Sequence, residues 1–514
     1  MNTRMIITAL AVLTVAVSGM IYQDASAATF TSEEQAWLAN NTRIDVGSSV
    51  WTPYEYVDED GGLAGVTADI ADRFSEITGS TFVAHGTAAG NWAETLAGLR
   101  DGTVDVAFMI EDTGAPNRAG IGFTDPWLHV DTHVIVRDGD RTVTADNLAG
   151  KSVVTVRDYA VNNWLESNGI PFTAVGSTAE ALRLVANGTH DAHVENWNVA
   201  YSIAADGGIS GLANNGPSGY TYAVSIGYPE ANALLGSILE KALGDIGENE
   251  VQVIVNSVVL SSNAGLITQS FTAEERSWLV QNPRISVGSA DWPPYEYVDN
   301  AGNLKGVTAA IADRFSEITG STFVAHGTAA GNWAETLAGL RDGTVDVAFM
   351  IEDTGAPNRA GIGFTDPWLH VDTHVIVRDG DRTVTADNLA GKSVVTVRDY
   401  AVNNWLESNG IQFTTVGSTA EALRLVADGT HDAHVESWDV ASLIAEDARV
   451  SGLANNGPSG YEYSLSVGYD ADNTVLGGIL QKILYGIQGE RDGLVADAIS
   501  RSIAELGSSA RACR

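Results

Sequence analysis

Along this chain, short apolar runs alternate with stretches in which apolar residues recur every third or fourth position. "RIDVGSS" at 43 to 49 reads as a strand, and "TADIADRFSEITGS" then places Ile70, Phe74 and Ile77 on one helical face and stops at Gly79. "TFVAHG" is the next strand. Asn91 to Glu94 predicts a capped helix start, with Trp92, Leu96 and Leu99 on one face, and "VDVAFMI" at 104 to 110 predicts a buried strand. This is a βαβαβ half. A second half runs through the strand "KSVVTV", a helix after Asp158, the strand "PFTAVG", a capping box from Ser177 to Glu180 and the strand "HDAHVE". The segments "HVIVRDG" at 133 to 139 and "YAVSIGY" at 222 to 228 flank the second half, where crossing strands belong. The pattern predicts an α/β unit of two lobes whose strands aim their carboxyl ends into a shared cleft.

The pattern occurs twice. Arg118 and Arg359, Trp51 and Trp292, and Phe30 and Phe271 are each separated by 241 residues. From Val66 to Ile170 the second copy is unchanged except that Asp69 becomes Ala310. Each unit is long enough to bury its own core and too long for a solenoid repeat. The expected organisation is a signal segment over 1–27, one domain over 28–265, a second over 266–508 and a tail over 509–514, with the domains joined near "SSNAGLITQS".

The first residues carry Arg4, an apolar run to about Val17 and the small-residue ending Ala25-Ser26-Ala27, as a cleaved secretory signal does. Cleavage near Ala27 predicts a periplasmic or secreted location, and no later segment reads as long or apolar enough to span a bilayer. Acids number 65 against 28 Lys plus Arg, a formal charge of -37, while 44% of residues are apolar. That apolar share supports globular cores, so the charge belongs to the surface, and it disfavours nucleic acid as a partner. The single cysteine, Cys513, excludes a disulfide within one chain and a Cys-based zinc site. Ten histidines divide five to each unit, and the pairs His129/His133 and His190/His193 have spacings that allow metal ligation. On a strand, however, a spacing of three puts His190 and His193 on opposite faces, and no metal or other cofactor is expected. No Ser-His-Asp order, phosphate loop or HExxH appears, so an enzyme is not expected.

The loop "EDTGAPNRAGIGFTDPW" stands unchanged at 111–127 and 352–368, with one arginine amid prolines and glycines. Together with "WTPYEYVDEDGGLAGVTADIADRF", "NWAETLAGLRDGTVDVAFMI" and "AGKSVVTVRDYAVNNWL", this run resembles bacterial extracellular solute-binding proteins of family 3, the polar-amino-acid type. It is most similar to the flytrap domains found in tandem on virulence-type sensor kinases. The resemblance implies two tandem type II periplasmic-binding-protein domains, each with two hinge strands. It also implies that Arg118 and Arg359 grip a ligand carboxylate, with Thr113 and Thr354 sharing it. A guanidinium suits that task because its rigid fork makes two parallel charge-assisted bonds. Glu111 and Glu352 stand where a small polar residue is usual. Asp158 and Asp399 stand where the family offers glycine, at a place where an aspartate caps the following helix and repels an anion. The position of the amine-binding aspartate holds Asn196 in one unit and Ser437 in the other.

The residues alone support a second reading. Glu55, Glu111, Asp112, Asp158 and Glu195 with Trp51, Tyr54, Trp92, Tyr159 and Trp197 supply the acids and aromatic faces of a cation site. The second-unit counterparts Tyr295, Trp333 and Tyr400 do the same. Lobe two differs between copies at Asn196/Ser437, Asn198/Asp439 and Tyr201/Ser442, which predicts similar ligands held with unequal affinities. The expected function is capture of a small polar solute, an amino acid or related amine, for a membrane permease. The alternative is a sensing module that signals to a membrane kinase or cyclase, and an enzyme on the same fold is a third.

Overall fold

A computed structural model describes residues 28–86, 89–327 and 331–512. The expected signal segment and Cys513 lie outside the described residues. Residues up to Val130 with Thr221–Ser257 form one compact unit, and Asp131–Tyr220 with Val258 onward form another.

The first unit is lobe one of the first repeat. Thr31 and Glu34 form a reciprocal capping box that starts helix Ser32–Asn40, and Lys241 pairs with the same Glu34 carboxylate at 2.6 Å. Strand Arg43–Val46 runs parallel to Thr81–Ala84 and bridges Val106. Helix Val66–Thr78 buries Ile70 and Phe74 and ends where Gly79 adopts φ 75°, a left-handed geometry that costs glycine little. The Phe74 ring meets Phe82 and Phe108 edge-on at 5.6 and 5.3 Å, which fixes the helix against the strands. Asn91 caps Trp92–Asp101 as expected, its side chain accepting from Glu94 N at 3.3 Å.

The second unit contains lobe two of the first repeat and all of the second repeat. In lobe two, Ala192–Glu195 lies parallel to Val153–Val156 and antiparallel to Leu128–Arg137, with Phe172–Val175 on the far side. Ser177 caps Thr178–Ala186 as read, but Glu180 reaches back to Gly176 N at 3.0 Å, one residue before the expected partner. His193 is fully buried, with Nδ1 against Val154 O at 2.9 Å, and burial pushes its imidazole down to about 4.

The second repeat builds one nine-stranded sheet in the order Thr322–Ala325, Arg284–Gly288, Val347–Ile351, Leu453–Asp470, Leu369–Arg378, Ala433–Glu436, Val394–Val397, Phe413–Val416, with Ile362–Phe364 alongside Leu453–Asp470. Leu369–Arg378 and Leu453–Asp470 pair antiparallel from Leu369↔Leu465 to Arg378↔Leu453 and carry the chain between lobes. These are the crossing strands, longer than the apolar runs that announced them, because their polar ends still pair.

One expectation fails. Helix Ala233–Ser270 is long and apolar enough to cross a membrane by length and composition. Gly247, at φ 71° and ψ 156°, breaks it in two, and Val251, Val255, Val259, Asn263 and Ile267 are buried at every fourth position beyond the break. Of its most apolar window, 28% is buried within the protein. The segment "SSNAGLITQS", read as the join between domains, lies inside this helix.

Candidate functional site

The second repeat has both lobes in one unit, and its arginine loop leads straight off strand Val347–Ile351. Ala356 precedes a short 3-10 turn, Pro357–Arg359, whose proline supplies the fixed φ that such a turn needs. Arg359 is 4% exposed, with its guanidinium 5.5 Å from the Trp333 ring centroid. Arg359 Nε donates to the Glu352 main-chain oxygen at 3.1 Å, and Nη2 donates to the Asp399 main-chain oxygen at 3.2 Å. Nη1 is buried with no hydrogen-bond partner. Burial lowers the proton affinity of this guanidinium, and the Asp399 and Glu352 carboxylates oppose that.

Asp399 is the point where lobe one meets lobe two. Besides Arg359, Trp333 Nε1 donates to its main-chain oxygen at 3.3 Å, and Asn358 Nδ2 donates to its Oδ1 at 3.2 Å. Its φ is 65°, a left-handed geometry that side chains seldom adopt. It does not cap the next helix: Ala401 is the cap of Val402–Ser408 and makes no side-chain cap bond, and the same holds for Asp158 and Ala160 before Val161–Ser167. The helix-capping role expected for Asp158 and Asp399 is therefore corrected, because the left-handed turn puts each aspartate outside the helix.

Between the lobes lies a cavity of about 40 Å³ walled by Trp292, Glu296, Trp333, Glu352, Arg359, Tyr400 and Tyr463 among others. That space suits roughly two or three waters. Glu352 turns its carboxyl to the Tyr461 hydroxyl; burial raises its proton affinity and the Tyr461 bond lowers it. Glu296 is 1% exposed and pushed up to about 8 by burial, against bonds from Ala290 N and Thr308. Glu436 is pushed up to about 7 by burial, offset by Ser437 N and the Trp292 indole. Tyr400 and Tyr463 are raised by burial as well.

Of the residues predicted for this repeat, Arg359, Glu352, Trp333 and Tyr400 line the cavity, and Asp399 contacts it through Arg359. Thr354 closes a turn by accepting from Ala356 N at 3.3 Å, as Thr113 does from Ala115 N. Tyr295 is stacked on Trp292 at 4.6 Å and is bonded by Ser437, so neither Tyr295 nor Ser437 is a cavity wall. Sequence reasoning missed Tyr461 and Tyr463 on the crossing strand. Their spacing of two puts both on one face, a signal that "YEY" carries and that a search for charged ligands passes over.

In the first repeat, lobe one repeats these details. Arg118 is 4% exposed, stands 5.5 Å over Trp92, and donates from Nε to the Glu111 main-chain oxygen at 3.0 Å. Trp51 lies tilted by 31° against Tyr54 at 4.6 Å and meets Tyr222 edge-on at 5.6 Å. Unlike Glu296, Glu55 accepts from a hydroxyl at this point: Ser49 donates to it at 2.6 Å, where Ala290 offers only a methyl, and burial pushes Glu55 up to about 7. In lobe two, Asp158 is exposed at φ 66°, and Tyr159 is half-buried beside it. Asn196 is committed to the fold: Oδ1 accepts from Val199 N at 3.2 Å and Nδ2 donates to Asp131 O at 2.9 Å. Trp197, grouped above with the cation-site aromatics, is 1% exposed and packs against Tyr485 of the second repeat.

A sequence model of bacterial extracellular solute-binding proteins, family 3, matches residues 44–257 and again 285–499. The chain belongs to this family. Both tandem copies are thus flytrap domains of the periplasmic-binding-protein type. No curated protein sequence matches the chain. Among solved structures, one titled "Structure of VC protein" aligns at a TM-score of 0.62 and 16% identity over 88% of this chain and 99% of its own. The B. pertussis BvgS periplasmic domain aligns at 0.42 and 21% identity over 92% and 93%. A mutant of ArgBP from T. maritima aligns at 0.37 and 19% identity over 44% and 98%. These likenesses concern fold.

Proposed function

We propose that each repeat captures a small polar solute bearing a carboxylate, an amino acid or a related amine, by closing its lobes on it outside the cytoplasm. The observation that carries this is Arg359: a buried guanidinium over the Trp333 ring, with two of its nitrogens tied to main-chain oxygens and the buried Nη1 left without a partner. An immobilised fork with a free donor recognises an anion at little entropic cost. The cavity is too small for an amino acid, so capture requires the lobes to part, breaking the contacts on Asp399 and remaking them around the solute.

The cation reading is weaker on the same residues. Glu296 and Glu436, pushed up to about 8 and about 7, hold protons for much of the time near neutral pH and offer a cation little charge. A thermal-shift screen of the full chain against amino acids, polyamines and quaternary amines tests the proposal, with Arg118→Ala and Arg359→Ala as controls. A solute at about 100 times its Kd adds ~2.7 kcal/mol to the domain that binds it. Loss of an amino-acid shift in the double variant supports the proposal; shifts by amines alone, untouched by either substitution, overturn it.

Delivery of the solute to an uptake permease is the use we assign. A sensing role is the second reading, favoured by the buried junction between repeats described next. Reconstitution with a permease or with a membrane kinase separates the two.

A further inference from the structure

The two copies differ at one position between Val66 and Ile170 and diverge after that block, so the contacts made by the diverging lobe-two residues separate one copy from the other. In lobe two the differences Asn196/Ser437, Asn198/Asp439 and Tyr201/Ser442 were expected to tune ligand affinity. They fall instead along one helix, Trp197–Asp206, and its cap.

The contacts of that helix form a continuous path. Asn196 Nδ2 donates to the main-chain oxygen of Asp131, on the crossing strand Leu128–Arg137, at 2.9 Å. The same side chain caps the helix through Val199 N. One turn on, Trp197 and Tyr201 meet the ring of Tyr485, in helix Thr474–Gly486 of the second repeat, at 5.3 and 5.6 Å. The Tyr485 hydroxyl donates at 2.8 Å to the main-chain oxygen of Leu212, the first residue of the other crossing strand, Leu212–Pro229. Asn198 Oδ1 accepts from Asn263 Nδ2 at 3.0 Å, and Gly489 packs so close that a Cβ there would lie 2.2 Å from Asn198 Oδ1. Trp197, Asn198 and Tyr201 are each 9% exposed or less.

In the second repeat this path is dismantled residue by residue. Ser437 makes no cap bond, Trp438 is half-buried, Asp439 is exposed, and the Ser442 hydroxyl turns back to Asp439 O at 3.0 Å. Tyr485 itself has glycine, Gly244, as its counterpart 241 residues earlier. The link is thus present at Trp197–Asp206 and absent at the counterpart Trp438–Asp447, which packs against Arg491–Ala512 instead.

We propose that helix Trp197–Asp206 is a mechanical coupler, which takes the position of the first repeat's crossing strand at Asp131 and passes it to the second repeat through Tyr485. Crossing strands are the parts of such folds that change on closure, and a packed helix moves as a body. Solute binding by one repeat then biases the other, and by linkage the bias is reciprocal. This use rests on the solute-binding reading, but the test of the coupler does not.

Hydrogen exchange in the full chain decides it, without added solute. Asn196→Ser removes the cap and the tie to Asp131; Asn196→Asp keeps a capping oxygen and removes only the donor to Asp131, so it serves if the serine variant folds poorly. Either is expected to raise exchange across 474–486 about threefold, a coupling of ordinary size for connected residues. In a Tyr485→Gly background the same substitution should leave that segment's rate within its own baseline. An equal rise in both backgrounds, or no rise with Tyr485 present, overturns the coupler and leaves the solute screen unaffected.

Discussion

Arg359 and Asp399 meet across the second repeat's cleft through a side-chain donor and a main-chain acceptor 3.2 Å apart. The acceptor is presented by a residue at φ 65°, so the contact between lobes depends on a backbone geometry that aspartate tolerates and most residues do not. Replacing Asp399 by alanine and by glycine loses the same bond to Asn358. Alanine keeps the left-handed cost of about 1 kcal/mol and glycine does not. Asp399→Gly is therefore expected to melt higher than Asp399→Ala, the reverse of the order inside a helix. Thermal unfolding of the two variants, followed in the second repeat, checks this.

Charge alone at position 359 should not suffice. Arg359→Lys keeps a cation but lacks the fork that binds Glu352 O and Asp399 O while leaving Nη1 for a ligand. Calorimetric titration with whichever amino acid shifts the wild type should show affinity reduced roughly 10-fold or more, the worth of one charge-assisted bond. Unchanged affinity would place the carboxylate elsewhere.

Stability should fall as pH rises from 6.5 to about 8. Glu55, Glu296 and Glu436 bind protons more tightly folded, at about 7, about 8 and about 7, than at the ordinary 4.5, so the folded state gains from them at low pH. That gain is lost as pH climbs through the folded values. His193 and His434, pushed down to about 4 from 6.5, act in the opposite sense, but only below 6.5. Between pH 6.5 and about 8 the slope belongs to the carboxyls. Melting temperature should decline over that interval in the wild type and decline less in Glu296→Gln. Ala290→Ser, which restores the hydroxyl that Glu55 receives from Ser49, should bring the second repeat's slope toward the first's.

The single change within the invariant block has a structural origin. Asp69 is exposed, whereas Ala310 is half-buried in the groove where helix Val307–Thr319 meets the C-terminal helix Arg491–Ala512, near Asp313, Arg501 and Glu505. An aspartate at 310 would be partly desolvated in that groove, which costs its charged form. Ala310→Asp is expected to destabilise the second repeat by about 1 kcal/mol, and Asp69→Ala to change the first by no more than ~0.5 kcal/mol. Denaturant unfolding of both exchanges measures it, and equal effects would refute the packing argument.

Local chemistry was enough to read the alternating strands and helices, the caps at Asn91 and Ser177, the stop at Gly79, the duplication and the loop that carries Arg118 and Arg359. Each of these depends on neighbours in sequence, through period, turn geometry or a cap a few residues away. The left-handed turn of Asp399, the commitment of Asn196 to Asp131, the pairing of Glu352 with Tyr461, and the burial of Trp197 under Tyr485 were decided by tertiary structure. In each case the deciding partner is far away in sequence. A side chain's hydrogen-bonding capacity can be read from its type, but which distant group spends that capacity is fixed only when the lobes and repeats pack. For the same reason the contacts of Asn196 with Asp131 and of Tyr201 with Tyr485 could not be read from the lobe-two differences in sequence.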